Sequence, residues 1–298
     1  MIITVVHGFS MALADSVPGV SGGTIAFIMG FYERFLTALH HFFGKDKQLR
    51  KEAFFYLIKF AIGWIVGLSG SVMILSRVFE SNIYFLSSLF LGLTISAIPF
   101  IIYEERNVLR GRYRDLIFVL LGIAVVVSLV AFRSNSAEIG AINFQSLNMM
   151  QYIYLVISGA LAISAMLLPG VSGSTVLLIL GVYVPAISSL KEVMSLNFQY
   201  LPGICSLAAG ILIGIIFASK LIRKGLRRFR PQMVYLIIGL LIGSLYAISM
   251  GPTTLEVPRE PMDFSSFNII AFLLGMLVLG GLEFVKKHTE NKEKKSLE

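Results

Sequence analysis

The sequence PGVSGGT at residues 18–24 interrupts a strongly apolar stretch, and a near-copy, PGVSGST, recurs at residues 169–175. Proline disfavours a helical conformation in the residue before it and lacks a backbone donor, while glycine loosens the backbone. A regular helix therefore does not run through either motif. Because lipid cannot satisfy the backbone groups that such a break exposes, each motif must lie against protein or a polar cavity.

The rest of the chain consists of apolar segments long enough to cross a bilayer, separated by short charged loops. Only 14% of the 298 residues are charged and 56% are apolar, whereas soluble domains carry about a quarter charged residues. A membrane-spanning helix needs about 20 predominantly apolar residues. The sequence therefore predicts an all-α polytopic integral membrane protein, and its net charge of +8 does not indicate a nucleic-acid partner.

The chain divides into two related halves, residues 1–150 and 151–298. At an offset of 151 residues the two motifs align, and eleven of the 26 positions from 14 to 39 are identical to their partners. The same offset pairs Gly63 with Gly214. A seven-residue polar motif does not recur by chance between unrelated apolar helices, so the halves are predicted to be structural repeats.

Each half is predicted to fold as a helical hairpin, broken at the motif, followed by three transmembrane helices. The predicted hairpins are 2–31 and 152–190, and the predicted spans are 54–79, 83–103, 115–132, 204–222, 233–250 and 266–285. The arms of the first hairpin, 2–14 and 21–31, are about 16–20 Å long, too short for a hydrocarbon core of about 30 Å. We therefore expect the first hairpin to be re-entrant, and the second, whose arms are longer, by analogy.

The distribution of positive charge predicts the orientation. Twenty of the 25 Lys and Arg residues lie in four segments, 32–53, 104–114, 219–232 and the tail from 286, and only four lie in the alternate loops. Cytoplasmic loops carry the excess of Lys and Arg, so both termini and the basic tail are expected to be cytoplasmic. Because three spans are an odd number, the two repeats should have inverted topology, an architecture typical of secondary transporters.

The motifs have the chemistry of a phosphate site. If a serine caps the helix that leaves each motif, the next three residues present N–H groups without an intrahelical partner, and hydroxyls lie beside them. The helix ends add a positive potential without a buried lysine or arginine. The alternative is that the motifs only turn the chain and let helices pack closely. The candidate phosphate-binding residues are Ser21, Gly22, Gly23, Thr24, Ser172, Gly173, Ser174 and Thr175, with Pro18, Gly19, Pro169 and Gly170 at the hairpin tips.

Few ionisable residues lie inside the apolar segments. Asp15, three residues before Pro18, is predicted to bind a coupling proton or sodium ion, or alternatively to brace the hairpin tip. Glu33 and Arg34 follow the first hairpin and either guide an anionic head group or are ordinary interface charges. The adjacent His40 and His41 face different directions on a helix, so no metal site is expected.

Two further segments indicate contact with anionic membrane lipids. Residues 32–55 mix aromatic and basic side chains, which is typical of an interfacial helix. The run from Arg223 to Arg230 is interpreted as a positively charged loop, and a lipid head-group site is the alternative.

The stretches DSVPGVSGGTIAFIMGFYERF and LLPGVSGSTVLLILGVY resemble the bacterial polyprenyl-phosphate translocases of the PopT type, and the resemblance covers essentially the whole chain. It implies return of undecaprenyl phosphate from the outer to the inner leaflet of the cytoplasmic membrane, which recycles the carrier lipid for peptidoglycan and teichoic acid synthesis. It also implies functional roles for Asp15, Tyr32 and Glu33 and for the residues of both motifs. Ser174 stands where the first motif has Gly23, which leaves open whether both tips bind equally.

Two other functions remain as alternatives. An ion-coupled transporter or channel for a small anion or cation could share the architecture. Undecaprenyl-pyrophosphate phosphatases also have paired membrane hairpins and a Pro-Gly-x-Ser motif, but neither motif here continues into an arginine. No acid, base and nucleophile converge in the sequence, so no catalytic residue is assigned and the chain is not expected to be an enzyme. The coupling ion and the oligomeric state are left open.

Overall fold

The computed structural model describes residues 2–15, 21–135, 144, 146–254 and 259–280. The first half contains α1 (Ile2–Asp15), α2 (Gly22–Ile28), α3 (Tyr32–Phe42), α4 (Lys47–Glu104), α5 (Arg106–Leu109) and α6 (Ile117–Asn135). The second half contains α7 (Met149–Met166), α8 (Gly173–Ile179), α9 (Tyr183–Met194), α10 (Leu201–Arg228), α11 (Arg230–Ser249) and α12 (Ile269–Gly280). Short 3-10 turns lie at Tyr113–Leu116, Phe198–Tyr200 and Gly251–Thr254. The described part of the chain contains no strand.

The polytopic helical fold is confirmed. Six described segments are long and apolar enough to cross a membrane: Lys47–Gly70, Asn82–Glu104, Tyr113–Phe132, Met149–Met166, Phe198–Arg228 and Arg230–Ser249. Five of them correspond to predicted spans. The sixth, α7, was predicted as one arm of a re-entrant hairpin, while the predicted span 266–285 is described only as far as Gly280. The two inverted repeats and the re-entrant course of the hairpins stay predictions.

The helix α4 joins two predicted spans, 54–79 and 83–103. It begins at Lys47, where the Asp46 carboxylate caps it by accepting from the N–H groups of Gln48 and Leu49 at 2.9 and 3.1 Å. It breaks at Asn82, whose φ of −134° and ψ of 35° are not helical. The break therefore lies at the predicted boundary between the two spans. The start of α4 differs from the prediction, because residues 47–53 are helical and not part of the preceding loop.

Glycines bring helices into close contact at equivalent places in the two halves. A Cβ at Gly8 would collide with the backbone of Phe60, which packs α1 against α4. A Cβ at Gly159, its partner at the offset of 151, would collide with the backbone of Leu207, which packs α7 against α10. Small residues allow such approach between membrane helices. The hairpin of each half is thus fixed to the following long helix in the same way.

Other close contacts connect the two halves to each other. A Cβ at Gly239 of α11 would collide with the backbone of Val119 in α6. A Cβ at Gly92 of α4 would collide with the backbone of Phe272 in α12. The buried centre of the molecule is α11, where Ile237, Leu240 and Leu241 are at most 1% exposed. The halves therefore form one packed unit around α11.

Candidate functional site

Both motifs start a helix where the sequence predicts one. α2 begins at Gly22 and α8 at Gly173, each after an extended serine: Ser21 has φ −118° and ψ 132°, and Ser172 has φ −101° and ψ 127°. Neither serine side chain caps its own helix. Pro18 and Gly19 lie outside the described residues, whereas Pro169 is buried and Gly170 has a φ of +83°, which glycine adopts without strain.

The two motifs lie against each other. The Gly170 N–H donates to the Thr24 hydroxyl at 2.8 Å, in a buried hydrogen bond between residues 146 positions apart. The Ser21 hydroxyl donates to the Leu168 carbonyl at 3.4 Å, and the Tyr32 hydroxyl donates to the Leu167 carbonyl at 2.7 Å. Hydroxyls of the first hairpin and of the first residue of α3 thus form hydrogen bonds with backbone groups at the tip of the second hairpin.

The residues of the first motif are enclosed by other parts of the protein. Ser21 and Thr24 are 2% and 3% exposed, and Gly22 and Gly23 are buried. The Gly22 N–H donates to Asp15 Oδ1 at 2.7 Å, so a carboxylate of the same chain occupies the helix start at which an external anion was expected. Asp15 therefore braces the tip, one of the two roles predicted for it. Its other oxygen, Oδ2, is buried and has no hydrogen-bond partner among the described residues.

The second motif is more open. Ser174 is exposed, and Ser172 and Thr175 are half-buried. The Ser172 and Ser174 hydroxyls lie 2.8 Å apart and hydrogen-bond to each other. Gly173 is buried, and a Cβ there would lie 2.8 Å from the Ala162 carbonyl oxygen. The two helix starts are thus unequal: the first is enclosed by Asp15 and the second hairpin, and the second presents hydroxyls at the surface.

The charged residues after the first hairpin have partners. Glu33 Oε1 accepts from Arg230 Nη1 of α11 at 2.9 Å. The same guanidinium binds Glu105, with Nε at 3.0 Å from Oε2. The Arg34 guanidinium lies 5.1 Å from the centre of the Tyr56 ring, a cation–π contact. These contacts tie the end of the first hairpin to α4 and α11.

An apolar cavity of about 490 Å³ begins beside the hairpin tips. We call it the apolar groove; its lining comes from α1, α3 and α4 of the first half and from the second hairpin and α10 of the second. The lining residues are Met11, Phe35, Leu39, Phe42, Phe43, Phe54, Leu57, Ile58, Phe60, Ala61, Trp64, Ile163, Met166, Leu167, Leu212 and Ile215. Leu167 is also the acceptor of the Tyr32 hydroxyl, so the groove and the hairpin contact share a residue.

Sequence reasoning missed the apolar groove. It interpreted 32–55 as an interfacial helix on lipid, but the segment contains α3, a turn and the start of α4. Phe35 and Leu36 of α3 are buried, and α3 packs against α4 and α10. The density of aromatic residues between 31 and 64 was the available signal, because aromatic side chains line ligand cavities as well as membrane interfaces.

Two other cavities lie away from the hairpin tips. One of them, about 730 Å³, lies where α5 and the start of α6 meet α11 and includes Arg106, Arg110 and Tyr235. The other, about 470 Å³, is lined by His40, Lys220, Arg223, Lys224, Arg227 and Arg228, and we call it the basic cavity. Within the described ranges, no three residues among His, Cys, Asp and Glu form a group that could hold a metal ion.

Comparison with known proteins assigns the chain to a group of transporters. The profile of a family described as undecaprenyl phosphate translocase-like matches residues 11–265. A polyprenyl-phosphate transporter of Staphylococcus aureus is 32% identical over 277 residues, which cover 93% of this chain and 94% of that protein. A polyprenyl-phosphate transporter of Vibrio cholerae is 28% identical over 252 residues, covering 81% of this chain and 75% of that protein. No solved structure matches.

Proposed function

The chain belongs to the undecaprenyl phosphate translocase-like family, and from this premise we propose that it transports a polyprenyl phosphate across the membrane that it spans. Both relatives bear the name of a polyprenyl-phosphate transporter. The family and its named relatives are transporters and not enzymes, in agreement with the expectation from the sequence that the chain is not an enzyme.

The substrate in this proposal is undecaprenyl phosphate, which moves from the outer to the inner leaflet of the bacterial cytoplasmic membrane. The apolar tail can stay in lipid throughout, so the protein has to carry only the phosphate. Moving a charged group through hydrocarbon without a protein path costs many kcal/mol. Return of the lipid to the inner leaflet would make it available again as a carrier for cell-wall synthesis.

The observation that carries the proposal is the apolar groove beside the hairpin tips. Its volume of about 490 Å³ is within the range of small-molecule sites, about 300–1,000 Å³. Its lining is almost wholly apolar, which suits a hydrocarbon tail and gives a small ion no ligands. Met11 and Met166 line the groove and also lie beside Gly22 and Gly173 at the helix starts. A lipid with its tail in the groove can therefore place its head group near the motifs.

The second motif is the more favourable phosphate site of the two. Ser172, Ser174 and Thr175 are at least partly exposed, and the first-turn N–H groups of α8 have no partner within the helix. At the first motif the Asp15 carboxylate already accepts from the Gly22 N–H. Proton or sodium binding at Asp15 would neutralise that carboxylate, and this is the proposed coupling step.

A leaflet-transfer assay tests the function. Purified full-length protein is reconstituted into vesicles whose undecaprenyl phosphate carries a radiolabel on its phosphate group. A membrane-impermeant phosphatase is then added outside the vesicles. Without the protein the phosphatase releases label only from the outer leaflet. With the protein, the label of the inner leaflet should be released as well, because the lipid exchanges between leaflets. Release that stays at the protein-free level would contradict the proposal. Release of phosphate from undecaprenyl pyrophosphate by the purified protein alone would indicate the phosphatase alternative.

A further inference from the structure

The basic cavity collects positive charge between α3 and α10. Four of its residues, Lys220, Arg223, Lys224 and Arg227, follow the spacing of three and four residues that places side chains on one face of a helix. Arg228 and, from α3, His40 complete the lining. None of the described residues that line the cavity is acidic, so the cavity holds five permanent positive charges without a negative one.

The arrangement has the properties of an anion site. Like charges this close repel each other, and an anion among them removes that cost. Arg223 Nη1 is buried and has no hydrogen-bond partner among the described residues, although a buried donor without a partner is unfavourable. The pKa of His40 is lowered mainly by burial and, to a smaller extent, by the charges of Arg223, His41, Lys220 and Arg227. Three of these four residues belong to α10. Guanidinium groups also match the geometry of phosphate oxygens.

The basic cavity lies next to the apolar groove along the contact between α3 and α10. Leu39 of α3 lines the groove and the following residue, His40, lines the basic cavity. On α10, Ile215 lines the groove and Lys220 the basic cavity, a separation of about 7.5 Å along the helix axis at 1.5 Å per residue. One molecule with an apolar tail and an anionic head could therefore occupy both.

We propose that the basic cavity binds the phosphate of a polyprenyl monophosphate whose tail lies in the apolar groove, as a second phosphate site in addition to the hairpin tips. The inference rests on the proposed function for the identity of the lipid. A phosphate monoester carries a charge of about −1.5 to −2 near pH 7, whereas a phospholipid diester carries a single negative charge on its phosphate. The surplus of positive over negative charge among the described lining residues thus favours the monoester. The site lies at the end of the groove remote from the tips, where the lipid would arrive after transfer.

The test measures binding of farnesyl phosphate to the purified full chain in neutral detergent by isothermal titration calorimetry. The double variant Arg223→Gln/Arg227→Gln should raise the Kd at least about tenfold, because the phosphate loses the charge and the hydrogen bonds of two guanidinium groups. The control Arg112→Gln removes an exposed cation that lines none of the three cavities and should change the Kd less than about twofold. The variant Arg223→Lys/Arg227→Lys keeps the charge and should restore part of the affinity.

Two further probes identify the ligand. Inorganic phosphate should bind more weakly than farnesyl phosphate, because it gains nothing from the groove; equal affinity would identify a free-phosphate site and overturn the lipid assignment. Phosphatidylglycerol should compete poorly, and equal competition would overturn the preference for a monoester. An unchanged Kd in the Gln double variant would refute the site.

Failure of this inference is distinguishable from failure of the proposed function. If leaflet transfer occurs but the Gln double variant binds and transports like the unmodified protein, the second site is absent and the transport function stands. If no leaflet transfer occurs but binding of farnesyl phosphate still depends on Arg223 and Arg227, the site stands and the transport function fails.

Discussion

The N–H of Gly170 donates to the hydroxyl of Thr24 at 2.8 Å, and this buried hydrogen bond joins the two motifs of the chain. Both residues belong to nearly identical sequences, yet they have different tasks. Thr24 supplies the acceptor from the first motif, and its counterpart Thr175 stays half-exposed on the second. The two copies of the motif therefore form an asymmetric pair, in which the first motif is enclosed by protein and the second is partly exposed.

We expect Thr24→Val to destabilise the protein by about 1–3 kcal/mol, because it leaves the buried Gly170 N–H without an acceptor while it preserves the shape of the side chain. Thermal unfolding in detergent measures the effect. Thr37→Val is the control, since Thr37 lies half-buried on α3 and the two substitutions are chemically identical. A melting temperature as high as that of Thr37→Val would show that the bond between the motifs adds nothing to stability.

The hydroxyls of the second motif should matter for transport and not for stability. Ser174 is exposed, and among the described residues its hydroxyl hydrogen-bonds to Ser172. Surface substitutions change stability by about 0.5 kcal/mol or less. We therefore expect Ser172→Ala/Ser174→Ala to abolish leaflet transfer at an unchanged melting temperature. Ser21→Ala, at the enclosed first motif, should have the smaller effect on transfer. Normal transfer by the Ser172/Ser174 double variant would refute the phosphate site at this motif.

The start of each broken helix could be predicted from sequence because the signals are local. Proline and glycine act within a few residues, and α2 and α8 begin at Gly22 and Gly173 as expected, although neither serine side chain caps its helix. The contact between Tyr32 and Leu167 could not be predicted, since it joins residues 135 positions apart and depends on how the halves pack. The same holds for burial: Ser21 is 2% exposed while Ser172 is half-buried, although five residues are identical around them.

The unequal hairpins had two signals in the sequence, the exchange of Asp15 for Met166 and the exchange of Gly23 for Ser174. A Cβ at Gly23 would lie 3.1 Å from the Leu168 carbonyl, whereas Ser174 lies at the surface. The exchange thus marks which motif faces protein. For the apolar groove, the sequence contained only one signal, the aromatic residues between 31 and 64. The groove itself could not be predicted, because a cavity depends on where distant helices leave space.

Asp15 has a bracing role in the structure and a coupling role in the proposal, and two substitutions separate them. Asp15→Asn keeps an acceptor for the Gly22 N–H but removes the charge and the titration. We expect it to fold normally and to lose any dependence of leaflet transfer on pH or sodium. Asp15→Ala removes the acceptor as well and should lower the melting temperature. A pH and sodium profile of Asp15→Asn identical to that of the unmodified protein would leave Asp15 with the bracing role alone.

Arg230 should contribute to stability mainly through Glu105. The Glu105 side chain is 14% exposed, and Arg230 and Glu33 are 40% and 56% exposed. Arg230→Met leaves the part-buried carboxylate unpaired and should cost about 2 kcal/mol, below the 3–5 kcal/mol typical of fully buried pairs because solvent screens the arginine. Glu33→Gln breaks only the exposed pair and should cost less than about 1 kcal/mol. Equal losses in a denaturation series would contradict this division.

A bulky residue in the apolar groove should block transport without unfolding the protein. Leu212 lines the groove and is 53% exposed, so Leu212→Trp can extend into the cavity without displacing a packed core. Leu221→Trp is the matched control, because Leu221 lies on the same helix, is 71% exposed and does not line the groove. We expect leaflet transfer to fall strongly in Leu212→Trp and to persist in Leu221→Trp, with equal melting temperatures. If both variants transfer the lipid at the same rate, the tail follows another path. The apolar groove would then no longer support the proposed function.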